Sequence, residues 1–364
     1  MNKKPRILAL YLPQFHPIPE NDIWWGKGFT EWTNVGRAKP LYKGHYQPKI
    51  PADLGYYDLR LPIIREQQAK LAKEAGIEGF CYWHYWLGDG KRLMENIFDE
   101  VLNSGKPDFP FCLAWANHSW YAKNWNTRDT GKKDRLLIEQ KYTGINDYRS
   151  HYEYILKAFK DKRYIKYNDM PIFMIYDAVN LPKEIIPLWN KWAKEDGFEN
   201  GIYFIGNLAS LKQHGNEIKD KGFNAITKSR ILDIKYISTK NRVRSYLNQL
   251  LNYIQGKPAY CFSYKKASHY FLSADDKQEN FIPSIIPNYD HSPRSGKYGV
   301  ILDNSTPENF REHLKSVFNI IKEKDNKLCI LKSWNDWGEG NYLEPDFKYK
   351  DAYIQILKEE INKF

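Results

Sequence analysis

Short apolar runs alternate along this chain with stretches whose apolar residues recur every three or four positions. The runs Ile7–Leu12, Gly79–Trp86, Phe111–Asn117, Pro171–Asp177, Gly201–Asn207, Ala225–Thr227, Ser284–Asp290 and Leu328–Leu331 have the length and character of strands. Helical patterns lie between them, near Leu61–Ala75, Arg92–Leu102, Asp147–Phe159, Pro182–Asp196, Ser245–Ile254 and Ala352–Ile361. In the first of these, Ile64, Leu71, Ala72 and Ala75 share a stripe, and Gly76 closes it as a C-terminal cap. The best-signalled helix follows the seventh run: Thr306 as N-cap, Pro307 in the first turn, then Phe310, Leu314, Val317 and Ile321 on one face. Lys221–Ala267 carries the weakest pattern. Such alternation implies a parallel sheet. No linker, repeat or change of composition divides the chain. The expectation is an α/β protein, a single (β/α)8 barrel over residues 1–364. An open doubly wound sheet would want a glycine-rich phosphate loop. GxGxxG is absent, and Gly88-Asp89-Gly90-Lys91 lacks P-loop spacing.

Chemistry clusters where the strands end. The eighth run opens into LKSWNDWGEGNYLEPD, Leu331–Asp346. Gly338 and Gly340 exclude a regular helix and permit tight turns. Asp336 and Glu339 are three apart, so one turn brings both carboxylates to one side. Paired carboxylates beside Trp334 and Trp337 suit sugar chemistry, one group donating a proton while the other accepts one. A solvated loop is the plainer use of two acids; the indoles and the buried strand before them argue against it. The first run empties into a long loop, Pro13–Val35. Its Trp24, Trp25, Phe29 and Trp32 make it too aromatic for a disordered segment, so it reads as an ordered, substrate-facing loop with long aromatic-rich character. Gln14, His16 and Glu31 within it either brace the loop or contact ligand. His84, Tyr85 and Trp86 end the second run, Asn117 the third, with Trp120 just beyond. Tyr176 ends the fourth, and Tyr289 and Asp290 the seventh. Together with Asn335 these are the candidate sugar-binding residues. A lone histidine at a strand end is more often a packing residue, so His84 gains only from its neighbours.

Composition sharpens the picture. Aromatic residues make up 16 % of the 364 positions, including 12 Trp, beyond what core packing asks. The net charge of +11 is carried largely by lysines scattered over helices, a solvated face rather than a nucleic-acid stripe. Such a surface favours an acidic glycan, free or lipid-linked at a membrane. Cys81, Cys112, Cys261 and Cys329 lack metal spacing and read as buried free thiols. His84, His118 and His291 lack chelating spacing, so no metal is expected. The N-terminus reads as a first strand rather than a signal peptide, and no run approaches a membrane span. The expected location is the cytoplasm, free or at the inner face of a membrane.

Four motifs in order resemble the WbsX-like family, whose members carry a glycoside hydrolase family 99-like domain and occur in O-antigen and capsule clusters. They are Leu10–Val35, YWHYW at Tyr82–Trp86, WANHSW at Trp115–Trp120 and SWNDWGEGNYLEPD at Ser333–Asp346. The resemblance spans nearly the whole chain. It implies a (β/α)8 barrel, no metal or cofactor, and a glycan partner. It also implies an acid/base at Glu339. Asp336 matches the carboxylate that deprotonates a sugar 2-hydroxyl, which attacks C1 to give a 1,2-anhydro intermediate with net retention. The chain departs from the family there, with Asp in place of Glu, one methylene shorter.

The expectation is therefore an enzyme that cleaves a glycosidic bond in a bacterial surface polysaccharide or its precursor. Glu339 is the expected general acid, a role that asks for a carboxyl raised by burial to roughly 6–7. Asp336 is the expected base. The alternatives are a glycosyltransferase or transglycosylase in polysaccharide assembly and a non-catalytic glycan-binding barrel. Glu344, before Pro345, reads as structural.

Overall fold

The computed structural model describes residues 4–122, 135–208, 215–234 and 242–364. Strands run at Arg6–Tyr11 (β1), Gly79–Trp86 (β2), Phe111–Trp115 (β3), Met170–Ile175 (β4), Tyr203–Asn207 (β5), Ala225–Thr227 (β6), Ser284–Ile285 (β7) and Leu328–Leu331 (β8). Each lies in one of the runs read from the sequence. The seventh is the exception in length: Pro287 has no N–H to donate, and the chain leaves the ladder after Ile285. Two compact units emerge, Met1–Phe80 with Lys228–Phe364, and Cys81–Thr227.

In the first unit β8 is the middle strand. It pairs in parallel with β1, Arg6 opposite Leu328 and Ala9 opposite Leu331, and with β7, Ser284 opposite Ile330. Buried on both faces, these strands read as continuous apolar runs instead of alternating. The helix Pro307–Lys322 begins as its signals require. Thr306 Oγ1 accepts from the Asn309 N–H at 3.3 Å, and Phe310, Leu314, Val317 and Ile321 are buried. It packs against the last helix, Ala352–Lys363. The long loop after β1 is not a plain loop. It contains two short helices, Pro19–Trp25 and Glu31–Arg37, the second capped by Thr30 and Thr33. Two turns in a Pro-rich, aromatic stretch leave too short a periodic signal to see.

In the second unit the order is β2, β3, β4, β5, β6. The pairs β3 with β4, β4 with β5 and β5 with β6 are parallel. The helix expected from Arg92 starts at Glu95 instead. Arg92 and Leu93 pair antiparallel with Trp86 and Tyr85. All four cysteines are free and buried. Among the described residues no helix is long and apolar enough to cross a membrane.

Candidate active site

The site of the first unit is built by the loop that leaves β8. Trp334 N–H continues the ladder to Leu10 O at 2.8 Å. Asn335–Asp336 then pairs antiparallel with Asn341–Tyr342, and the tip between them is a single 3-10 turn, Trp337–Glu339. Gly340 takes φ 53°, the left-handed conformation that reverses the chain. Gly338 is needed for a different reason, close approach: a Cβ there would stand 1.8 Å from Glu31 Oε2 and 2.8 Å from Arg294 Nε. The turn carries Asp336 and Glu339 to one side, as their spacing implied.

Arg294 gathers three carboxylates. Its Nε donates to Glu31 Oε2 at 3.1 Å, Nη2 to Asp336 Oδ1 at 3.0 Å and Nη1 to Glu339 Oε1 at 3.0 Å. Lys332 donates to Glu339 Oε2 at 3.2 Å, and His291 Nε2 stands 3.8 Å from Glu339 Oε1. Asp336 Oδ1 also accepts the Glu339 N–H at 3.2 Å. These partners divide the proton unequally. Burial raises the Asp336 carboxyl to about 7; Arg294 opposes this, and the Glu339 charge adds to it. Burial acts on Glu339 too, but Lys332, Arg294 and His291 outweigh it and hold that carboxyl down at about 2. Glu339 has two close cations and Asp336 shares one, so the cations favour the charged form at Glu339 more than at Asp336. Burial works against the Arg294 charge, but Asp336, Glu31 and Glu339 hold the guanidinium firmly protonated.

The supporting shell is polar and buried. Asp290, expected as a sugar contact, accepts from Gln47 Nε2 at 2.7 Å and the Ser292 N–H at 2.9 Å, and its Oδ2 lies 2.9 Å from His45 Nε2. Burial would raise it, yet His45 and Lys49 hold it down at about 2. Its N–H donates to Glu339 O at 2.8 Å, fixing the turn's backbone. Lys49 donates to Gly340 O at 3.1 Å with its ammonium 5.1 Å from the centre of the Tyr342 ring. Behind this lies a cavity of about 70 Å³, lined in part by Tyr42, His45, Tyr46, Lys49, Asp290 and Tyr349. Glu344 accepts from Tyr57 at 2.9 Å, Gln68 at 2.6 Å and Trp337 Nε1 at 2.6 Å. Burial raises it to about 7, against these donors.

Several expected sugar contacts are corrected. Trp334 and Trp337 are both 0 % exposed. Trp334 packs on Phe80 with ring centroids 5.4 Å apart, and Trp337 stacks on Tyr342 at 3.7 Å. A ring closed in on both faces offers none to a sugar. Asn335, also 0 % exposed, clamps Leu12 through its N–H at 2.7 Å and its carbonyl at 3.0 Å. Trp32 joins the same aromatic cluster, 5.6 Å from Trp337, with Nε1 donating to Tyr57 O at 2.7 Å. Gln14 is half-buried, with its backbone carbonyl accepting the Glu31 N–H at 3.1 Å, and its side chain stays a candidate contact. His16 is buried, and burial lowers its basicity. Tyr289 is buried and stacks with His291, centroids 6.1 Å apart. Trp24 is half-buried and Trp25 exposed; they remain candidate platforms.

In the second unit, His84 is buried with Nε2 2.7 Å from His151 Nε2, and burial lowers it to about 3. It is therefore the packing histidine that base rates favour. Trp86 stacks on His151 at 4.6 Å and donates from Nε1 to Asp147 at 3.0 Å. Asn117 is buried, donating to Tyr142 at 2.9 Å and to Asp177 O at 3.0 Å. Tyr85 is buried and meets Trp120 edge-on at 5.3 Å. Trp120 and Tyr176 are half-buried; Tyr176 packs edge-on to Trp83 at 5.7 Å. Of the groups missed from sequence, Arg294, Lys49, His45 and Gln47 carry no local motif, and Lys332 lies within the Leu331–Asp346 stretch without a signal of its own. Arg294 and Glu31 are 263 positions apart.

Solved structures share this fold. A solved structure described as a glycoside hydrolase-like protein aligns over 99 % of this chain and 94 % of its own, with TM-score 0.57 and 16 % identity. The glycoside hydrolase family 99 endo-alpha-mannosidase from Bacteroides thetaiotaomicron, in complex with bis-tris-propane, aligns over 98 % of this chain and 97 % of its own, with TM-score 0.55 and 15 % identity. At these identities the likeness shows the fold, the (β/α)8 barrel expected from the alternation. The chain itself belongs to the family described as Glycosyltransferase WbsX, which matches residues 7–357. Two curated relatives, both called uncharacterized protein WxcX and from two strains of Xanthomonas campestris pv. campestris, are 31 % and 30 % identical over 98 % of the chain. The chain spans about half the length of these relatives, 50 %.

Proposed function

We propose that residues 1–364 form one glycoside hydrolase family 99-like domain that cleaves a glycosidic bond in a bacterial surface polysaccharide or its precursor, with retention. The observation that carries this is the Asp336–Glu339 pair held on one guanidinium at the turn after β8, with Lys332 on Glu339 alone. Two neighbouring carboxyls in unequal surroundings suit divided acid and base roles. Bridging by a single guanidinium favours the short separation of retaining enzymes, about 5–5.5 Å, over the roughly 6.5–9.5 Å of inverting ones. Asp336, whose carboxyl burial raises, hands a proton to the leaving oxygen as the C1–O bond breaks. Glu339, held ionised, bonds to C1. Water then returns a proton to Asp336 and displaces Glu339. In the route implied by the family resemblance the roles are exchanged: Glu339 is the acid and Asp336 deprotonates the 2-hydroxyl. The substrate class rests on the family's setting in O-antigen and capsule clusters.

The family description favours a second outcome of the same chemistry, transfer to a sugar hydroxyl in place of water. Mass spectrometry of products from surface polysaccharides and lipid-linked oligosaccharides separates the two. A free reducing end marks cleavage, and a lengthened glycan marks transfer. Glycan binding without turnover, or equal turnover by Asp336→Asn and Glu339→Gln, would remove this pair from the chemistry.

A further inference from the structure

The helix Arg242–Ile254 in the first unit is turned inside out. A surface helix normally buries its apolar stripe and shows a polar face to water. Here Tyr246, Leu247, Leu250, Leu251, Tyr253 and Ile254 are between 41 and 81 % exposed. Among the helix's described side chains, the half-buried ones are Asn248 and Asn252, one turn apart. Asn252 Nδ2 donates to Cys261 O at 3.0 Å and Ala259 O at 3.4 Å, tying the polar side inward. At 3.6 residues per turn the six apolar side chains occupy one arc of about 160°, with Tyr246 and Tyr253 together at one margin. An arc this wide is too large to be scattered surface hydrophobicity.

The charge of this stretch is one-sided in sequence: no Asp or Glu occurs between Asp233 and Asp275. Among its described side chains the lysines are Lys257, Lys265 and Lys266. Lys265 and Lys266 are exposed on the short helix Tyr264–Ser268, whose Tyr264 and Ala267 are anchored in the core with Ile231 and Ile286. Lys257 pairs with Asp303 at 2.7 Å. A protein partner would be met as readily by a mixed rim. The exposed pair Lys265 and Lys266, in a sequence stretch without acids and near an apolar arc with tyrosines at one margin, matches an anionic bilayer surface, where apolar side chains enter the acyl boundary and cations meet lipid phosphates.

We propose that this helix lies in the plane of an anionic membrane and docks the protein there. The proposal is independent of the roles assigned to Asp336 and Glu339. The test uses the full chain in co-sedimentation with vesicles of phosphatidylcholine, alone or with about one-third phosphatidylglycerol. Binding should need the anionic lipid and weaken at least tenfold in high salt. Leu247→Ser/Leu251→Ser/Ile254→Ser should abolish it. Lys265→Gln/Lys266→Gln should weaken it by on the order of tenfold. Both variants change exposed positions, so their circular dichroism and melting should match wild type. Absence of binding to anionic vesicles, or undiminished binding by the serine variant, overturns the proposal. So does a dimer in sedimentation velocity that the serine variant abolishes while vesicles bind nothing, which would assign the face to a second copy.

Discussion

Gly338→Ala isolates what the three-carboxylate cluster contributes. Gly338 has no left-handed backbone to lose, so alanine should be slightly favourable there, by about 0.4–1 kcal/mol through the unfolded chain. The added methyl, however, lands 1.8 Å from Glu31 Oε2 and 2.8 Å from Arg294 Nε. Glu31 is 3 % exposed and must swing away, which breaks its bond to Arg294. Separating one partner of a buried ion pair costs about 3–5 kcal/mol. Arg294 is 24 % exposed as a side chain and keeps Asp336 and Glu339, so the low end applies. The net expectation is a loss of about 2–3 kcal/mol. Urea denaturation of wild type, Gly338→Ala, Glu31→Ala and the double variant measures it. In the Glu31→Ala background the 1.8 Å clash is gone and only the 2.8 Å approach to the Arg294 side chain remains, so Gly338→Ala should cost much less there. Equal destabilisation in both backgrounds, or none in wild type, would refute the reasoning.

Three further outcomes follow from the site. Asp336→Asn should stabilise the protein at high pH. The Asp336 carboxyl moves from 3.8 to about 7 on folding, so the folded state holds its proton more tightly. That stability is full below about 4 and lost as pH rises through 7; the variant lacks the loss, and its advantage should reach roughly 2–4 kcal/mol at pH 8 in thermal melts. Trp334→Ala should cost about 3–5 kcal/mol in denaturation as a core cavity, while Trp25→Ala stays within about 0.5 kcal/mol, since Trp25 is exposed. Trp25→Ala and Trp24→Ala should instead weaken glycan binding in calorimetry, and unchanged affinity in both would place the sugar platform elsewhere.

The strands were legible because a strand buried on both faces is a bare apolar run, and β2 and β8 fall where the runs fall. The helix from Pro307 was legible because Thr306 and Pro307 mark its start. The two short helices after β1 were not, having barely two turns each. The acid pair was visible as a spacing, and its side-by-side placement holds. What the spacing could not carry is who stands around it. Arg294 and Lys332 decide which acid keeps the proton, and Arg294 meets Glu31 only through folding. The tryptophans misled for a related reason. An indole in a motif looks alike whether it lies over a cleft or beneath it, and Trp337 lies beneath, with its N–H on Glu344.

Leaving-group dependence in the two acid variants is the most direct measurement. Aryl glycosides of graded leaving-group acidity, on the sugar the enzyme turns over, would be assayed with wild type, Asp336→Asn and Glu339→Gln. Removing a proton donor should lower turnover roughly 10²–10⁴-fold for poor leaving groups. With Asp336 as the donor, Asp336→Asn recovers bond cleavage as the leaving group becomes more acidic, and Glu339→Gln stays inactive throughout. Recovery in Glu339→Gln alone would contradict this and return the acid role to Glu339.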